Sequence, residues 1–409
     1  MESLFIEVKK SSNILKNISA ENRSFAIKRL GELVQDREGD ILKANEADIQ
    51  NALKSGLSSP LISRLTLTPK KIADISDALC TIAKEADPIG EAIGGGIRPN
   101  ALRIIKLRVP LGVIGVIYES RPNVTLDCAA LALRSGNAAM LRGGKEAVRT
   151  NTLFWRLIQI VLSNSGLPEK SIVLIDDPDR TKLAKMLKAD RYIDLIIPRG
   201  SQALIKYVVE NSTIPIVKHD KGVCNIYVDK DADFEKALKI IYNAKTSYPS
   251  ACNAVECVIV HKDILGAFIP LLARKLKSAG VRLLGCDRSV KAGGVEPIAE
   301  WGEEYLSLTL AVRAADSLED AVNFIEQFGS AHSDAIITEN YTAAEYFLKW
   351  VDSACVYVNA STRFTDGGQF GLGAEVGIST QKLHVRGPMG AKDLTTYKYI
   401  IYGDGQIRE

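Results

Sequence analysis

The chain has 409 residues, of which 46% are hydrophobic and 25% charged, a composition typical of a globular protein with substantial cores. Its 52 basic and 49 acidic residues leave a formal net charge of +3, which points to neither a nucleic-acid partner nor a membrane surface. The longest apolar run, Val109–Tyr118, is about half as long as a membrane-spanning helix, and the start, MESLFIEVKK, lacks the pattern of a signal peptide. Seven cysteines without a framework spacing predict free thiols in a reducing cytoplasm.

The first half of the chain begins with predicted helices and continues as strands alternating with helices. A helical period extends from about Glu21 to Ser55, and a second helix is predicted from Pro69 to Ala86, because proline is favoured in the first turn. A Gly/Pro-rich break, Gly94–Asn100, precedes an extended segment, Ala101–Val109. The elements predicted next are strand VIGVIY, helix Val124–Ser135 closed by Gly136, strand AAMLRG, helix Glu146–Ser165, strand SIVLI, helix Thr181–Lys188 and strand DLIIP.

The same alternation resumes in the second half. Strands alternating with helices of this length predict βαβ crossovers and a mostly parallel, doubly wound sheet. We therefore expect a second α/β domain, followed by a β-prone tail, LTTYKYIIYGDGQIR. Its predicted elements are strand NIYVD, helix Phe234–Thr246, strand VECVIV, helix Ile264–Ser278, strands VRLLGC and TLAVR, helix Leu318–Phe328 and strand DAIIT.

Cys252 is the candidate nucleophile. It lies in TSYPSACNAVECVIVH, where a Ser/Pro/Ala loop is followed at once by the apolar β-type run Val255–Val260. This pattern predicts a thiol at a loop tip on a rigid element, where it can meet a carbonyl group. The alternative is a buried structural cysteine, which is the usual role of an arbitrary free cysteine.

Three apparent ligand motifs do not fit their templates. Gly371–Gly377 has one residue too many for the dinucleotide fingerprint. LRGGKEA lacks the first glycine of a P-loop, and Glu146 follows its lysine instead of Ser or Thr. Cys252, Cys257 and His261 have a spacing that suggests zinc, but the last two belong to a predicted core strand with no fourth ligand nearby. We therefore predict no metal site.

Eight longer stretches occur in an order that matches one known family: LRVPLGVIGVIYESRPNVT, LRGGKEA, LIIPRGSQALI, ACNAVE, EEYLSLTLAVR, GSAHSDAI, VNASTRFTDGGQFGLGAEVGIST and KLHVRGPMGAKDLTTYKY. Through them the chain resembles the gamma-glutamyl phosphate reductase family of the aldehyde dehydrogenase superfamily. The resemblance implies an aldehyde dehydrogenase-like α/β fold, with two doubly wound α/β domains plus a small β oligomerisation flap. It assigns residues 1–100 and 111–224 to an NADP-binding domain, 225–360 to a catalytic domain carrying Cys252, and 101–110 with 387–409 to the flap.

The reaction that the resemblance implies is NADPH-dependent reduction of L-glutamyl 5-phosphate to L-glutamate 5-semialdehyde and phosphate, the second step of proline biosynthesis. Cys252 would attack the acyl phosphate and form a thioester, which hydride from the nicotinamide would convert to the aldehyde. Asn123 of ESRPN matches the asparagine that, with the cysteine's backbone amide, stabilises the oxyanion in the superfamily. From local sequence alone Asn123 could instead be a helix N-cap before Val124, and both roles could coexist.

The cofactor residues follow from the same resemblance. Arg142 to Lys145 end a strand and open a helix, so two cations and helix-start amides would lie near the adenosine ribose, where a 2′-phosphate favours NADPH over NADH. The alternative for Lys145 is a solvated first-turn residue. Gly200 and Ser201 would contact the pyrophosphate, and Glu304 matches the residue that binds the nicotinamide ribose in relatives. The predicted cofactor-binding residues are Arg142, Gly143, Gly144, Lys145, Gly200, Ser201 and Glu304.

One departure from the wider superfamily concerns hydrolysis. Hydrolytic aldehyde dehydrogenases carry a glutamate that activates water, whereas the corresponding stretch here, Pro215–Asp220, has Lys218 or His219 in that place. Because a hydrolytic water would waste an acyl phosphate, this difference favours phosphate as the leaving group. Of the predicted substrate residues, His332 could equally be a core histidine and Arg363 could face the phosphate. These residues are Glu119, Arg121, His332, Ser361, Thr362 and Arg363.

The partners expected from the resemblance are a second copy of the chain and a small-molecule substrate. We expect a homo-oligomer, dimer or tetramer, formed through the flap. A transient contact with glutamate 5-kinase is a further hypothesis, since it would channel the unstable acyl phosphate. Two alternatives for the function stay open: a hydrolytic NAD-dependent aldehyde dehydrogenase, and a non-catalytic binding protein on the same fold.

Overall fold

The polypeptide contributes to two units and passes from one to the other more than once. The structure is a computed structural model that describes residues 1–177, 179–218 and 221–408, with the backbone alone described at Pro60 and Arg180. Unit 1 comprises Met1–Lys218, Phe370–Gly377 and Pro388–Glu409, and unit 2 comprises His219–Gln369 and Ile378–Gly387. In the described part of the chain, no helix combines the length and apolarity needed to cross a bilayer.

The elements are numbered in chain order. The helices are α1 (Glu2–Leu15), α2 (Ala20–Asp36), α3 (Glu38–Lys54), α4 (Ser59–Leu65), α5 (Pro69–Lys84), α6 (Asn123–Arg134), α7 (Val148–Asn164), α8 (Arg180–Leu187), α9 (Gln202–Asn211), α10 (Phe234–Thr246), α11 (Leu265–Lys277), α12 (Asp287–Ala292), α13 (Leu318–Phe328) and α14 (Tyr341–Trp350). The strands are β1 (Ala92–Ile97), β2 (Arg103–Pro110), β3 (Val113–Tyr118), β4 (Ala138–Arg142), β5 (Ile172–Leu174), β6 (Leu195–Arg199), β7 (Cys224–Val228), β8 (Val255–His261), β9 (Arg282–Gly285), β10 (Glu296–Pro297), β11 (Thr309–Ala315), β12 (Ser333–Ile337), β13 (Cys355–Val358), β14 (Ile378–Ser379), β15 (Gly387–Pro388) and β16 (Thr395–Tyr402).

The larger sheet of unit 1 is parallel, with strand order β5-β4-β3-β6. All six residues of β3 are buried, which explains its apolar sequence VIGVIY. From β3 the chain winds outward through β4 and β5, and it then returns to place β6 on the other side of β3. This reversal creates a crevice beyond the carboxyl ends of β3 and β6, where open α/β sheets bind ligands.

The helical layer that precedes this sheet differs from the sequence prediction. The single helix expected from Glu21 to Ser55 is wrong, because α2 and α3 are separated at Arg37, whose φ of −105° and ψ of 20° leave the helical region. The helix expected from Pro69 is confirmed as α5, with Thr68 as its N-cap, although it ends at Lys84. The sequence analysis did not predict helices α1 and α4 of this unit. It also did not predict helices α12 and α14 and strand β13, which belong to unit 2.

A second sheet in unit 1 is antiparallel, with strand order β1-β2-β16. The break expected at Gly94–Asn100 is wrong in its first part, since the glycine-rich segment pairs with β2 as strand β1. A Cβ on Gly95 would collide with the carbonyl oxygen of Ile104, so this close pairing requires glycine. The sheet contains the segments predicted to form the flap, and its role in oligomerisation stays a prediction.

Unit 2 contains a parallel sheet of order β10-β9-β11-β8-β7-β12-β13. Helices α10 and α11 cover one face, and α13 and α14 cover the other. The predicted α/β class, with two doubly wound domains and a small β flap, is confirmed. Because β7, β8 and β12 begin side by side, the loops that precede them meet at one edge of the sheet, and Cys252 lies in the loop before β8.

Candidate active site

The predicted site residues divide between the two units. Unit 1 contains Glu119, Arg121, Asn123, Arg142, Gly143, Gly144, Lys145, Gly200 and Ser201, and unit 2 contains Cys252, Glu304, His332, Ser361, Thr362 and Arg363.

The turn between β4 and α7 carries the residues predicted near the adenosine ribose. Strand β4 ends at Arg142, and Lys145 opens a short 3-10 turn before α7. A Cβ on Gly143 would collide with the Asn151 side-chain amide, so a larger residue here would have to displace that buried side chain. Gly143 and Lys145 line a cavity of about 180 Å³ together with Asp176, which follows β5. This cavity therefore has both a cation and a carboxylate in its wall.

Gly200 and Ser201 connect β6 to α9 at the crevice where the strand order reverses. Ser201 is the N-cap of α9, and its hydroxyl accepts a hydrogen bond from the Leu204 N–H. The Ser201 N–H donates to Glu119 Oε2 at 2.8 Å, and a Cβ on Gly200 would lie 2.5 Å from the same oxygen. Glu119, predicted to bind the amino-acid end of the substrate, thus lies with the turn predicted to bind pyrophosphate.

Asn123 is the first residue of α6, and the N-cap of this helix is Pro122. The Asn123 amide donates to Asp127 Oδ2 at 2.8 Å, one turn along the helix. Asn123 therefore does not cap α6, and Asp127 holds its amide in place. The carbonyl of Arg121 accepts a hydrogen bond from the Val124 N–H at 3.1 Å within the same turn.

Cys252 is held through its backbone. It is half-buried in a turn just before β8 and belongs to no disulfide. A Cβ on Gly222 would lie 2.7 Å from the Cys252 Cα, so Gly222 packs directly on this turn. The Cys224 thiol donates to the Cys252 carbonyl oxygen at 3.2 Å, and Glu304 accepts a hydrogen bond from the Gly222 N–H at 2.9 Å. Glu304 is thus hydrogen-bonded to the residue that packs directly on the backbone of the candidate nucleophile.

The segment 361–363 supports the Cys252 turn through Asn253. The Thr362 hydroxyl donates to the Asn253 carbonyl oxygen at 2.7 Å, and the Arg363 guanidinium donates to the Asn253 side-chain oxygen. Ser361 and Thr362 are buried, whereas Arg363 is partly exposed. Of these three predicted substrate residues, Arg363 is therefore the one whose side chain remains accessible.

His332 lies fully buried just before β12. Its Nδ1 is 2.8 Å from the Ser333 hydroxyl and 3.7 Å from the Cys224 Sγ. Burial raises the pKa of Cys224 well above the usual thiol value, which keeps this sulfur protonated as a donor to Cys252. His332 is thus connected to the candidate nucleophile through Cys224 and has no direct exposure.

Sequence reasoning missed Gly222, Cys224 and a buried ion pair between Lys245 and Glu256. Lys245 Nζ lies 2.6 Å from Glu256 Oε2. Burial raises the pKa of Glu256 and lowers that of Lys245, while their mutual attraction opposes both shifts. The available signal was a charged residue inside the run VECVIV, every residue of which is buried.

Two other sequence-based expectations concern a metal site and the segment Pro215–Asp220. Cys257 and His261 are buried on β8, and the described residues contain no group of three His, Cys, Asp or Glu side chains that could hold a metal ion. Lys218 ends the first segment of unit 1, and His219 lies outside the described residues.

Comparisons with known proteins agree with this architecture. A model of the aldehyde dehydrogenase family matches residues 9–295. The gamma-glutamyl phosphate reductase of Nautilia profundicola is 47% identical over 100% of both chains, and that of Clostridium acetobutylicum is 49% identical over 99% of this chain and 98% of its own. The crystal structure of gamma-glutamyl phosphate reductase from Thermotoga maritima has a TM-score of 0.94 at 41% identity, covering 100% of this chain and 99% of that chain. An acetylating aldehyde dehydrogenase from Geobacillus thermoglucosidasius, 17% identical with a TM-score of 0.73 over 100% of this chain and 97% of its own, shares the fold.

Proposed function

The chain belongs to the gamma-glutamyl phosphate reductases, within the aldehyde dehydrogenase family, and we propose that it reduces L-glutamyl 5-phosphate with NADPH through a thioester on Cys252. The observation that carries the proposal is the cluster of Cys252, Gly222 and Glu304. A half-buried thiol lies on a rigid turn, and the residue that matches the nicotinamide-ribose ligand is hydrogen-bonded to the glycine that packs on this turn.

The first half-reaction belongs to the cysteine. The Cys252 sulfur attacks the acyl carbon of the substrate, the bond to phosphate breaks, and phosphate leaves as a thioester forms. Negative charge develops on the acyl oxygen, and the resemblance to the superfamily assigns the Asn123 amide and the Cys252 N–H as its donors. Asp127, which holds the Asn123 amide, orients that donor. Arg363 is partly exposed and donates a hydrogen bond to Asn253, the residue after Cys252. Its guanidinium supplies a cation for the substrate carboxylate or the phosphate.

The residues of unit 1 fit a phosphorylated dinucleotide. When bound, NADPH supplies the hydride that reduces the thioester to the aldehyde. Gly143, which lacks a side chain, allows close backbone approach beside Lys145, a partner for a 2′-phosphate. The start of α9 at Ser201 offers N–H groups for the pyrophosphate. In the structure the Ser201 N–H donates a hydrogen bond to the Glu119 carboxylate.

The reverse reaction provides the sharpest test. Purified protein is mixed with glutamate 5-semialdehyde and NADP⁺, with and without inorganic phosphate, and NADPH formation is followed by absorbance. We expect sustained turnover only with phosphate or arsenate, and about one NADPH per active site without them, because the sequence Pro215–Asp220 has no glutamate where hydrolytic relatives carry the one that activates water. A hydrolytic dehydrogenase would turn over in phosphate-free buffer, since a general base contributes roughly 10²–10⁴-fold to such a step. Sustained phosphate-independent turnover would therefore reject the proposal in favour of that alternative.

The assembly and partners expected from the sequence remain proposals. Oligomerisation through the β1-β2-β16 sheet would cover its exposed aromatic and aliphatic side chains. A contact with glutamate 5-kinase would shorten the path of the unstable acyl phosphate between two active sites.

A further inference from the structure

Lys245 and Glu256 form an ion pair that is shut off from solvent. Their side chains are 0% and 1% exposed, and Lys245 Nζ lies 2.6 Å from Glu256 Oε2. Removing two charges from water carries a desolvation penalty that their attraction often does not repay, so an apolar pair of similar volume is commonly as stable or more so. A pair of this kind is therefore weak evidence for a role in stability.

Glu256 also occupies a special position in the sheet. On β8, Val255 pairs with Cys224 and Cys257 pairs with Asn225, so Glu256 is the extra residue of a β-bulge between β8 and β7. A bulge redirects the side chain of its extra residue and is enriched next to active sites. This bulge begins three residues after Cys252.

The second oxygen of Glu256 reaches a strained segment. Oε1 accepts a hydrogen bond from the Leu306 N–H at 3.3 Å, and Leu306 has a φ of 52°, in the left-handed region that a branched side chain rarely adopts. Such a conformation persists only where the surroundings enforce it. Two residues earlier, the Glu304 carboxylate accepts the Gly222 N–H over the Cys252 turn.

We infer that the buried Lys245–Glu256 pair is a positioning device that holds the turn at Leu306, and thereby the Glu304 carboxylate, in place for the cofactor. Lys245 neutralises and orients Glu256, one oxygen of Glu256 fixes the Leu306 backbone, and that backbone sets where Glu304 lies relative to Gly222 and Cys252. The inference rests on the proposed function, in which Glu304 binds the nicotinamide ribose.

The pair can be removed without leaving a buried charge, and the hydrogen bond can be tested separately. The double variant Lys245→Met/Glu256→Leu removes both charges and the acceptor for Leu306. The matched variant Lys245→Met/Glu256→Gln removes both charges but keeps a side-chain oxygen at the same reach. Ile241→Val, a buried change on α10, serves as the control for a small loss of packing.

The readouts are melting temperature, the Kd of NADPH measured by fluorescence, and kcat with the KM for NADPH. We expect the leucine variant to melt no lower than the parent while its Kd and KM for NADPH rise roughly tenfold, a loss comparable to one misplaced polar contact. The glutamine variant should stay within about threefold of the parent, because Leu306 keeps its acceptor. Ile241→Val should lower the melting temperature and leave the Kd unchanged.

Two results would overturn the inference: a leucine variant with the parental Kd, or leucine and glutamine variants that lose affinity equally. If the leucine variant does not fold, Lys245→Met/Glu256→Met replaces it with a more adaptable side chain in the bulge. Because NADPH binding needs no turnover, it still tests the pair if the parent protein fails to reduce glutamyl phosphate, so the two hypotheses fail separately.

Discussion

At the residue scale, Gly222 and Cys224 hold the turn of the candidate nucleophile in place through contacts with its backbone. Gly222 leaves no space for a side chain against the Cys252 turn, and the Cys224 thiol holds the carbonyl oxygen of the same turn. Because burial raises the pKa of Cys224, that second thiol stays protonated and cannot replace Cys252 as the nucleophile.

Cys252→Ala should therefore abolish reduction, to below about 1% of the parent rate, while NADPH binding is retained. The measurements are NADPH oxidation with glutamyl phosphate and NADPH affinity by fluorescence. Cys286→Ala is the matched control, and it should keep full activity. Burial opposes ionisation of Cys286, but hydrogen bonds involving Ser289 and Ala314 lower its pKa. Cys286 should therefore react with alkylating agents as well, which makes it a control for a reactive thiol outside the candidate site. Turnover by the Cys252 variant would refute the nucleophile assignment.

Cofactor choice is a second question at this scale, because the cavity beyond β4 contains Lys145 and Asp176 together. Lys145→Ala should weaken NADPH more than NADH, since a charge-assisted hydrogen bond to a 2′-phosphate contributes about 1.5–3 kcal/mol. Asp176→Asn should act in the opposite direction and improve NADPH, because it removes like-charge repulsion. Dissociation constants for both cofactors test this, and equal losses for NADPH and NADH in the lysine variant would rule out a 2′-phosphate contact.

At the element scale, the sequence predicted best those elements whose ends carry local signals. Helices α10 and α13 have the predicted bounds, and each begins after a side-chain cap, Asp233 or Ser317. Strand β1 was missed because its glycines carry no strand signal and its pairing depends on β2. The break at Arg37 has neither proline nor glycine at the junction itself.

The candidate site shows the same division. The motifs predict roles for Cys252 and Glu304, while no motif indicates Gly222 or the Glu256 bulge. A bulge is a mismatch between two strands, so it depends on the register with β7 and cannot be read from β8 alone.

The end of α5 offers a prediction about pH. Glu85 follows this helix, and burial raises its pKa from 4.5 to about 7, an effect that the charge of Arg134 only partly offsets. The folded protein therefore binds this proton more tightly than the unfolded chain, and stability falls as pH rises from about 4.5 to 7.

Glu85→Gln should remove that loss. We expect its melting temperature to exceed the parent's by about 1–3 °C at pH 8 and to equal it near pH 4.5, after discounting for partial exposure. Lys84→Gln, an exposed change on the same helix, should show no such pH dependence. A parallel offset at every pH for Glu85→Gln would contradict the assignment of this proton.

At the scale of the whole molecule, the antiparallel sheet predicts self-association. Tyr399 and Ile401 on β16 are each 58% exposed, and β16 is an edge strand. An exposed apolar edge tends to pair with another chain, so we expect at least a dimer at micromolar concentration by sedimentation. Ile401→Lys should shift the equilibrium toward monomer. Ile407→Lys, at an exposed residue beyond β16, should not. A parent protein that sediments as a monomer would contradict the flap hypothesis.

The pairing of β2 with β16 has a consequence for synthesis of the chain. Arg108 and Thr395, which meet across these strands, are 287 residues apart. At roughly 10 residues per second, a ribosome needs about half a minute to make the intervening chain. Throughout that time the nascent β2 lacks a partner on one edge, and unpaired apolar edges promote aggregation. Ribosomes that stall or terminate before Thr395 should therefore release aggregation-prone chains, a failure of assembly that arises before any catalytic residue is put to use.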